Sequence, residues 1–333
     1  MPGRAVLLAL VLLAGCGGTQ EQRPPQDPVE AVPDQPGLRE AIRDALSPQA
    51  DSFPDAKGKT LQQVADEVRN GPQAALASTV LTVGSSRFTF GVIGQDGRPV
   101  YGPAAVFIAP TPADPAQGPF LAPADVLLTE KRYRSKQAAT ENDPFAAVYA
   151  AQVKFPKAGQ YAVLVATRGP NGVLVGAPTQ VNVVTKAADK IPDVGDQAPD
   201  VATDTLETTK GDKTLLDTRD PASDMHADLA DSLGKKPVAL LFATPQLCQS
   251  RVCGPVTDIA LQMRARYGKR MTFIHQEVYV GNDPSKGLRP PLKAFNVETE
   301  PWLFVIDRRG RVTARLEGSF GVGAFEDAIK TAL

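Results

Sequence analysis

The sequence predicts a multidomain protein, an all-β sandwich followed by an α/β domain with a mixed sheet. Three observations carry this. At 333 residues the chain is long for one domain. Apolar residues between positions 75 and 185 recur with the period of two expected of half-buried strands. From residue 194 onward the pattern changes to strand, helix, strand, loop, hairpin, helix, an order that builds an α/β layer. Charge is balanced, with 36 Lys+Arg against 37 Asp+Glu, so nothing points to nucleic acid or an acidic substrate.

The first residues read as an export signal. Arg4 supplies the positive start, and the apolar run at 5–14 is too short to span a bilayer. It ends in Leu13-Ala14-Gly15-Cys16, which resembles the bacterial lipobox. That resemblance implies a signal peptide over residues 1–16, diacylation of Cys16 and anchoring at the extracytoplasmic face of the cell membrane, where disulfides persist. Residues 17–36 are rich in Gln, Pro and Glu without periodicity and read as a flexible tether. Residues 37–74 carry short helical patterns at 38–46 and 60–68.

Six strand-like runs fill residues 75–185, separated by turn signals such as Gln95-Asp-Gly-Arg-Pro and Gly169-Pro-Asn-Gly. Their number and spacing suggest an immunoglobulin-like sandwich, one that no cysteine pair staples. The segments 110–124 and 131–143 read as long loops, and residues 186–193 as a linker.

In the last domain, 194–333, Val238-Ala-Leu-Leu-Phe242 is a continuous apolar run and so a buried strand. Cys248 and Cys253 follow it. Val256, Ile259, Ala260, Met263 and Tyr267 then form one helical stripe. Residues 271–280 read as a strand, 302–307 and 312–316 as a hairpin, and 325–333 as a closing helix.

With Cys16 set aside, two of the three cysteines remain, and they can pair only with each other. On one regular helix, five residues would hold their Cα atoms roughly 8–9 Å apart, beyond the ~4.4–6.8 Å that a disulfide tolerates. Pro255 also favours a helix start near Gly254 or Pro255. This places Cys253 at a helix mouth, where free N–H groups favour a thiolate, and Cys248 in the loop before it. His226 lies in a polar stretch and carries no assigned role, His275 reads as a satisfied or exposed strand histidine before a ligand or base, and no metal or cofactor is implied. His275 and Glu277 read as ordinary strand residues, with a buried proton acceptor as the alternative for Glu277.

The order of elements resembles the thioredoxin-like superfamily over residues 191–333. Val194-Gly-Asp-Gln-Ala-Pro199 looks like the opening segment of its redoxin and TlpA branches. The cysteine pair lies between the first buried strand and the first long helix, and Thr299-Glu-Pro301-Trp-Leu-Phe-Val-Ile-Asp307 looks like the strand headed by a cis-proline. The resemblance implies a thiol–disulfide oxidoreductase acting on protein thiols or disulfides outside the cytoplasm. Cys248 would be its nucleophile and Cys253 its resolving thiol, with Glu300 and Pro301 in the substrate groove. The chain departs from thioredoxins in separating the cysteines by four residues instead of two.

Three rival readings remain. Thr244-Pro245 with Cys248 and Cys253 is similar to peroxiredoxins of the bacterioferritin-comigratory type, although Pro301 stands where those enzymes carry a peroxide-polarising arginine. A Sco-type copper chaperone would need a histidine near residues 297–301, where there is none. A non-catalytic binding lipoprotein would use the pair as a structural disulfide.

Overall fold

The computed structural model describes residues 27–138, 145–169, 171–248 and 252–333. Cys16 and the signal and tether residues before Asp27 lie outside the described residues. The described part of the tether departs from expectation: Pro28–Ala31 forms a 3-10 turn capped by Asp27, and Val29 and Val32 are buried in the sandwich core. Two valines three residues apart supply apolar surface that the surrounding polar composition conceals.

Among the described residues, the N-terminal half contains ten strands and two α-helices besides short 3-10 turns. The helices are α1 (Leu38–Ala45) and α2 (Leu61–Asp66), the latter closed by a capping box between Thr60 and Gln63. The strands are β1 (Arg69–Asn70), β2 (Gln73–Leu76), β3 (Leu81–Thr82), β4 (Gly84–Ile93), β5 (Ala104–Ala109), β6 (Gln117–Leu121), β7 (Ala124–Val126), β8 (Ala147–Phe155), β9 (Gly159–Arg168) and β10 (Leu174–Val184). One sheet runs β1-β10-β9-β5-β6, with β3 also on β10, and the other runs β2-β4-β8-β7. Inward residues of both enclose one core, among them Phe88, Phe90, Val106, Tyr149, Phe155 and Val163. Residues 117–121, expected as loop, are the strand β6, and Ala124, the last residue of that expected loop, opens β7. Pro119 is tolerated because β6 is an edge strand paired with β5 alone.

The C-terminal half contains α3 (Lys213–Leu216), α4 (Leu229–Ser232), β11 (Val238–Phe242), α5 (Cys253–Tyr267), β12 (Thr272–Gln276), α6 (Pro290–Ala294), β13 (Trp302–Ile306), β14 (Val312–Glu317) and α7 (Val322–Lys330). Its sheet runs β12-β11-β13-β14, parallel between β11 and β12 and antiparallel elsewhere. β11 is buried on both faces, which is why it reads as an unbroken apolar run. Ala239 and Leu241 face α5 and α7, whereas Val238, Leu240 and Phe242 pack with Leu292, Phe295 and Trp302 on the other side. The expected strand over 271–280 ends at Gln276, and the 186–193 segment is tied down by the Arg315–Asp189 ion pair at 2.5 Å.

The two halves share a core. Leu127 and Val148 of the sandwich belong to the same apolar cluster as Val256, Ile259 and Phe325. Asp125 on β7 reaches across to cap α7, accepting from the amides of Gly321 (2.6 Å), Gly323 (3.0 Å) and Ala324 (3.2 Å). Burial pushes its carboxyl up, against the pull of Arg87 and these amides. Gly318 fits this seam because its φ is +66° and a Cβ there would collide with the Ala77 carbonyl.

Asp125→Ala should therefore destabilise the protein by about 2 kcal/mol, because three helix N–H groups lose their acceptor at once. Urea unfolding measures this; an unchanged midpoint would show that the cap does not hold the halves together.

Candidate functional site

The site is built at the carboxyl end of β11. The strand stops at Phe242, and residues 244–247 make a turn closed by the Leu247 amide donating to Thr244 O at 3.2 Å. Cys248 follows, partly exposed; residues 249–251 lie outside the described residues. Cys253 is the first residue of α5 and is fully buried. Pro255 occupies the third helical position instead of the first, still within the turn whose N–H groups have no intrahelical acceptor, so its missing donor costs nothing there. Both cysteines are thiols, and the two side chains hydrogen-bond each other. The fold thus joins a loop thiol to a helix-mouth thiol.

Pro301 heads β13, opposite this junction, and the Glu300–Pro301 bond is cis. Glu300 and Tyr279 are near enough for their charges to act on both cysteines. The sandwich contributes to the same place. Gln137 presses its carbonyl against Gly254, where a Cβ would come within 2.4 Å of it. The Ser135 amide donates to Asp258 at 3.0 Å, and Asp258 accepts from Arg219 Nε at 2.8 Å in an ion pair with both side chains 2% exposed.

A buried polar network lies beneath the thiols. Glu277 Oε1 accepts from the Thr218 amide (2.7 Å) and hydroxyl (2.8 Å), and the Gln246 amide, in the turn before Cys248, donates to the Thr218 hydroxyl (3.1 Å). His275 Nε2 lies 3.0 Å from Ala243 O, and its Nδ1 lies 3.4 Å from Asp217 Oδ1. Asp217 also accepts from the amides of Arg219 (2.8 Å) and Ser223 (2.7 Å).

The strand order β12-β11-β13-β14, the thiol pair between β11 and α5 and the proline at the head of antiparallel β13 together decide the architecture. The C-terminal domain is thioredoxin-like.

No protein-family model matches the chain, and no curated protein does. Solved structures give partial likenesses. A protein assigned as thiol:disulfide interchange protein DsbE from Chlorobium tepidum is 22% identical with a TM-score of 0.30, over 42% of this chain and 98% of that one. A thioredoxin-family thiol:disulfide interchange protein from Chlorobium tepidum TLS is 18% identical with a TM-score of 0.28, over 42% of this chain and 97% of that one. CopC from Methylosinus trichosporium OB3b is 11% identical with a TM-score of 0.20, over 34% of this chain and 96% of that one.

Electrostatics separates the two thiols of the thioredoxin-like domain. Burial, and then the neighbouring Cys248, push the Cys253 thiol well up, outweighing what a helix mouth offers a thiolate. Burial also raises the Glu300 carboxyl to about 7, with Cys248 and Glu277 adding to it. Below the thiols, burial works against charge on Asp217, yet the His275 imidazolium holds that carboxyl low. Burial likewise opposes charge on His275, but Asp217 and then Glu277 push the imidazole up to about 9.

Cys248, Cys253, Glu300 and Pro301, the residues expected from the sequence, come together here, and Asp217, Thr218, Tyr279 and His275 join them without having been expected. The missed residues come from a loop after α3 and from the far end of β12, which no local spacing connects to the cysteines. The one available signal was His275-Gln-Glu277, two ionisable residues on one face of a buried strand.

Iodoacetamide at pH 7 should modify Cys248 at least about tenfold faster than Cys253, because burial both hides the Cys253 sulfur from the reagent and disfavours its thiolate; peptide mass mapping of a time course reads the ratio. Glu300→Gln should accelerate Cys248 modification only above about pH 7, where the native carboxylate is ionised and repels a thiolate. A rate profile from pH 5 to 9 shows whether the two proteins diverge there.

Proposed function

We propose that this protein is a membrane-anchored, extracytoplasmic thiol–disulfide oxidoreductase working through the Cys248–Cys253 pair. The observation that carries the reading is the pairing of a partly exposed thiol with a buried one on the first turn of α5. Such a pair supplies an attacking sulfur that a substrate can reach and a resolving sulfur that it cannot.

In the reducing direction, Cys248 as thiolate attacks one sulfur of a substrate disulfide, and the other substrate sulfur leaves as a thiolate. Cys253 then loses its proton and attacks Cys248 Sγ. The second substrate thiolate departs, an intramolecular disulfide closes, and two electrons have passed to the substrate. Run backward, the same steps oxidise a substrate dithiol. Cys253, held protonated by its burial, spares the first-formed mixed disulfide from premature resolution. Glu300, Pro301 and Tyr279 form the wall against which the substrate backbone would lie. The first sandwich, read as an immunoglobulin-like domain, acts as a fixed platform, since its residues 133–137 cover the first turns of α5.

Anchoring rests on the lipobox-like run ending at Cys16. Two acyl chains there would hold the protein at the membrane surface, with protein thiols and disulfides as its partners. No helix among the described residues is long and apolar enough to cross a membrane.

Cys253→Ser should accumulate mixed disulfides with partner proteins through Cys248, visible as reductant-sensitive adducts on non-reducing gels, whereas Cys248→Ser should accumulate none. Equal trapping by the two variants would contradict the assignment of roles.

A further inference from the structure

The network beneath the thiols has a feature that thiol exchange does not use. Asp217, His275 and Glu277 each offer one ligand atom, and these atoms lie within 4.8 Å of one another in full burial. On these residues, Glu277 Oε2 makes no hydrogen bond, and His275 Nδ1 makes none beyond its 3.4 Å ion pair with Asp217. Asp217 and His275 have completely buried side chains, and Glu277 is 0% exposed. Unpaired polar atoms in the interior are costly, so a converging set of them calls for an explanation.

The surroundings orient this set as a ligand shell is oriented. The Ala243 carbonyl, 3.0 Å from His275 Nε2, accepts that nitrogen's hydrogen bond and aims Nδ1 at Asp217, where a cation would displace its proton. Thr218 holds Glu277 through Oε1, and Oε2 is buried without a hydrogen bond. The Ser223 and Arg219 amides fix Asp217. Two carboxylates and the His275 imidazolium carry a charge of −1, and a divalent cation that displaces the imidazolium proton leaves the site neutral. Arg219, two residues from Asp217, is already committed to Asp258. A tetrahedral ion with bonds of about 2.1 Å sets its ligands ~3.4 Å apart, so the shell needs to contract by up to about 1.4 Å, within the reach of side-chain torsions.

There is also a way in. A pocket of about 460 Å³ opens beside the network, lined by Glu207, Asp224, Asp228 and Asp231, with His226 and Lys213. His226 Nε2 lies 3.7 Å from Asp217 Oδ2, its ring is centred 6.4 Å from that of His275, and its Nδ1 is buried without a hydrogen bond. An acidic mouth concentrates cations, and a histidine between mouth and shell can hand one inward.

We propose that Asp217, His275 and Glu277 form a site for one divalent transition-metal cation, of the kind that one imidazole and two carboxylates select, such as Zn²⁺. It is loaded through the acidic pocket at His226 and independent of the thiols. An imidazole with carboxylates suits zinc and its borderline neighbours better than copper(I), which would favour the sulfurs.

The test is titration calorimetry of the chelator-stripped full chain with ZnCl₂, alongside Cys248→Ser/Cys253→Ser, His275→Ala and Glu277→Gln. One equivalent should bind the wild type and the double cysteine variant with equal affinity, and each ligand variant should weaken binding at least tenfold. Cobalt(II) gives a second readout that survives any misfolding of the ligand variants. The wild-type spectrum should show ligand-field bands without a thiolate-to-metal charge-transfer band. Absence of stoichiometric binding to the wild type, or binding that disappears with the cysteines, would overturn the proposal.

Discussion

The buried ion pair between Arg219 and Asp258 is the contact on which the arrangement of the site depends. Asp258 lies on α5, little more than one turn after Cys253, and Arg219 lies two residues beyond Asp217. The same guanidinium donates to the Tyr133 carbonyl at 2.6 Å and also to Pro221 O, while Asp258 takes the Ser135 amide and hydroxyl. One pair therefore joins the thiol-bearing helix, the loop that carries Asp217 and Thr218, and the sandwich. A buried pair recovers the cost of desolvation only when its remaining donors and acceptors are met, and here they are met by backbone from both halves. Burial nevertheless leaves its mark on Asp258, whose carboxyl rises to about 6 despite the Ser135 amide and Arg219.

With the helix held in this way, the asymmetry of the two thiols follows. Cys253 cannot leave the interior, because Gly254 beside it is pressed by Gln137 and the Thr244 amide bonds to its sulfur. Cys248 sits in the loop and meets solvent. The proline that faces them heads β13, and beside it Glu317 of β14, paired with Trp302, accepts from the sandwich amides of Thr79 and Val80. The sandwich is thus part of the support of the redox pair, in addition to any role in docking.

Much of this was legible in the sequence where one local pattern reports one local structure. The buried strand β11, the stripe Val256, Ile259, Ala260 and Met263 and the terminal hairpin all follow from periodicity within a single element. The helix start was legible from Pro255, because proline is confined to the first turn. What stayed hidden was everything assembled across long separations. Val29 and Val32 belong to a core about 60 residues further along the chain, a fact that no composition window reveals. β6 was masked by Pro119, which is admissible only because the strand is at an edge. Asp217, His275 and Glu277 meet through tertiary packing alone, and the burial of Cys253, which reverses the expected advantage of a helix mouth, depends on neighbours from the other half of the chain.

The central claim, that the Cys248–Cys253 couple works in exchange and is not a permanent bridge, is tested most directly by its equilibrium potential. Incubating the full chain in graded glutathione buffers at pH 7 and scoring free thiols by mass shift yields that value. The account predicts a two-electron transition between about −180 and −270 mV, the range of exchanging dithiols. A couple that stays oxidised below about −300 mV would mark a structural disulfide and contradict it.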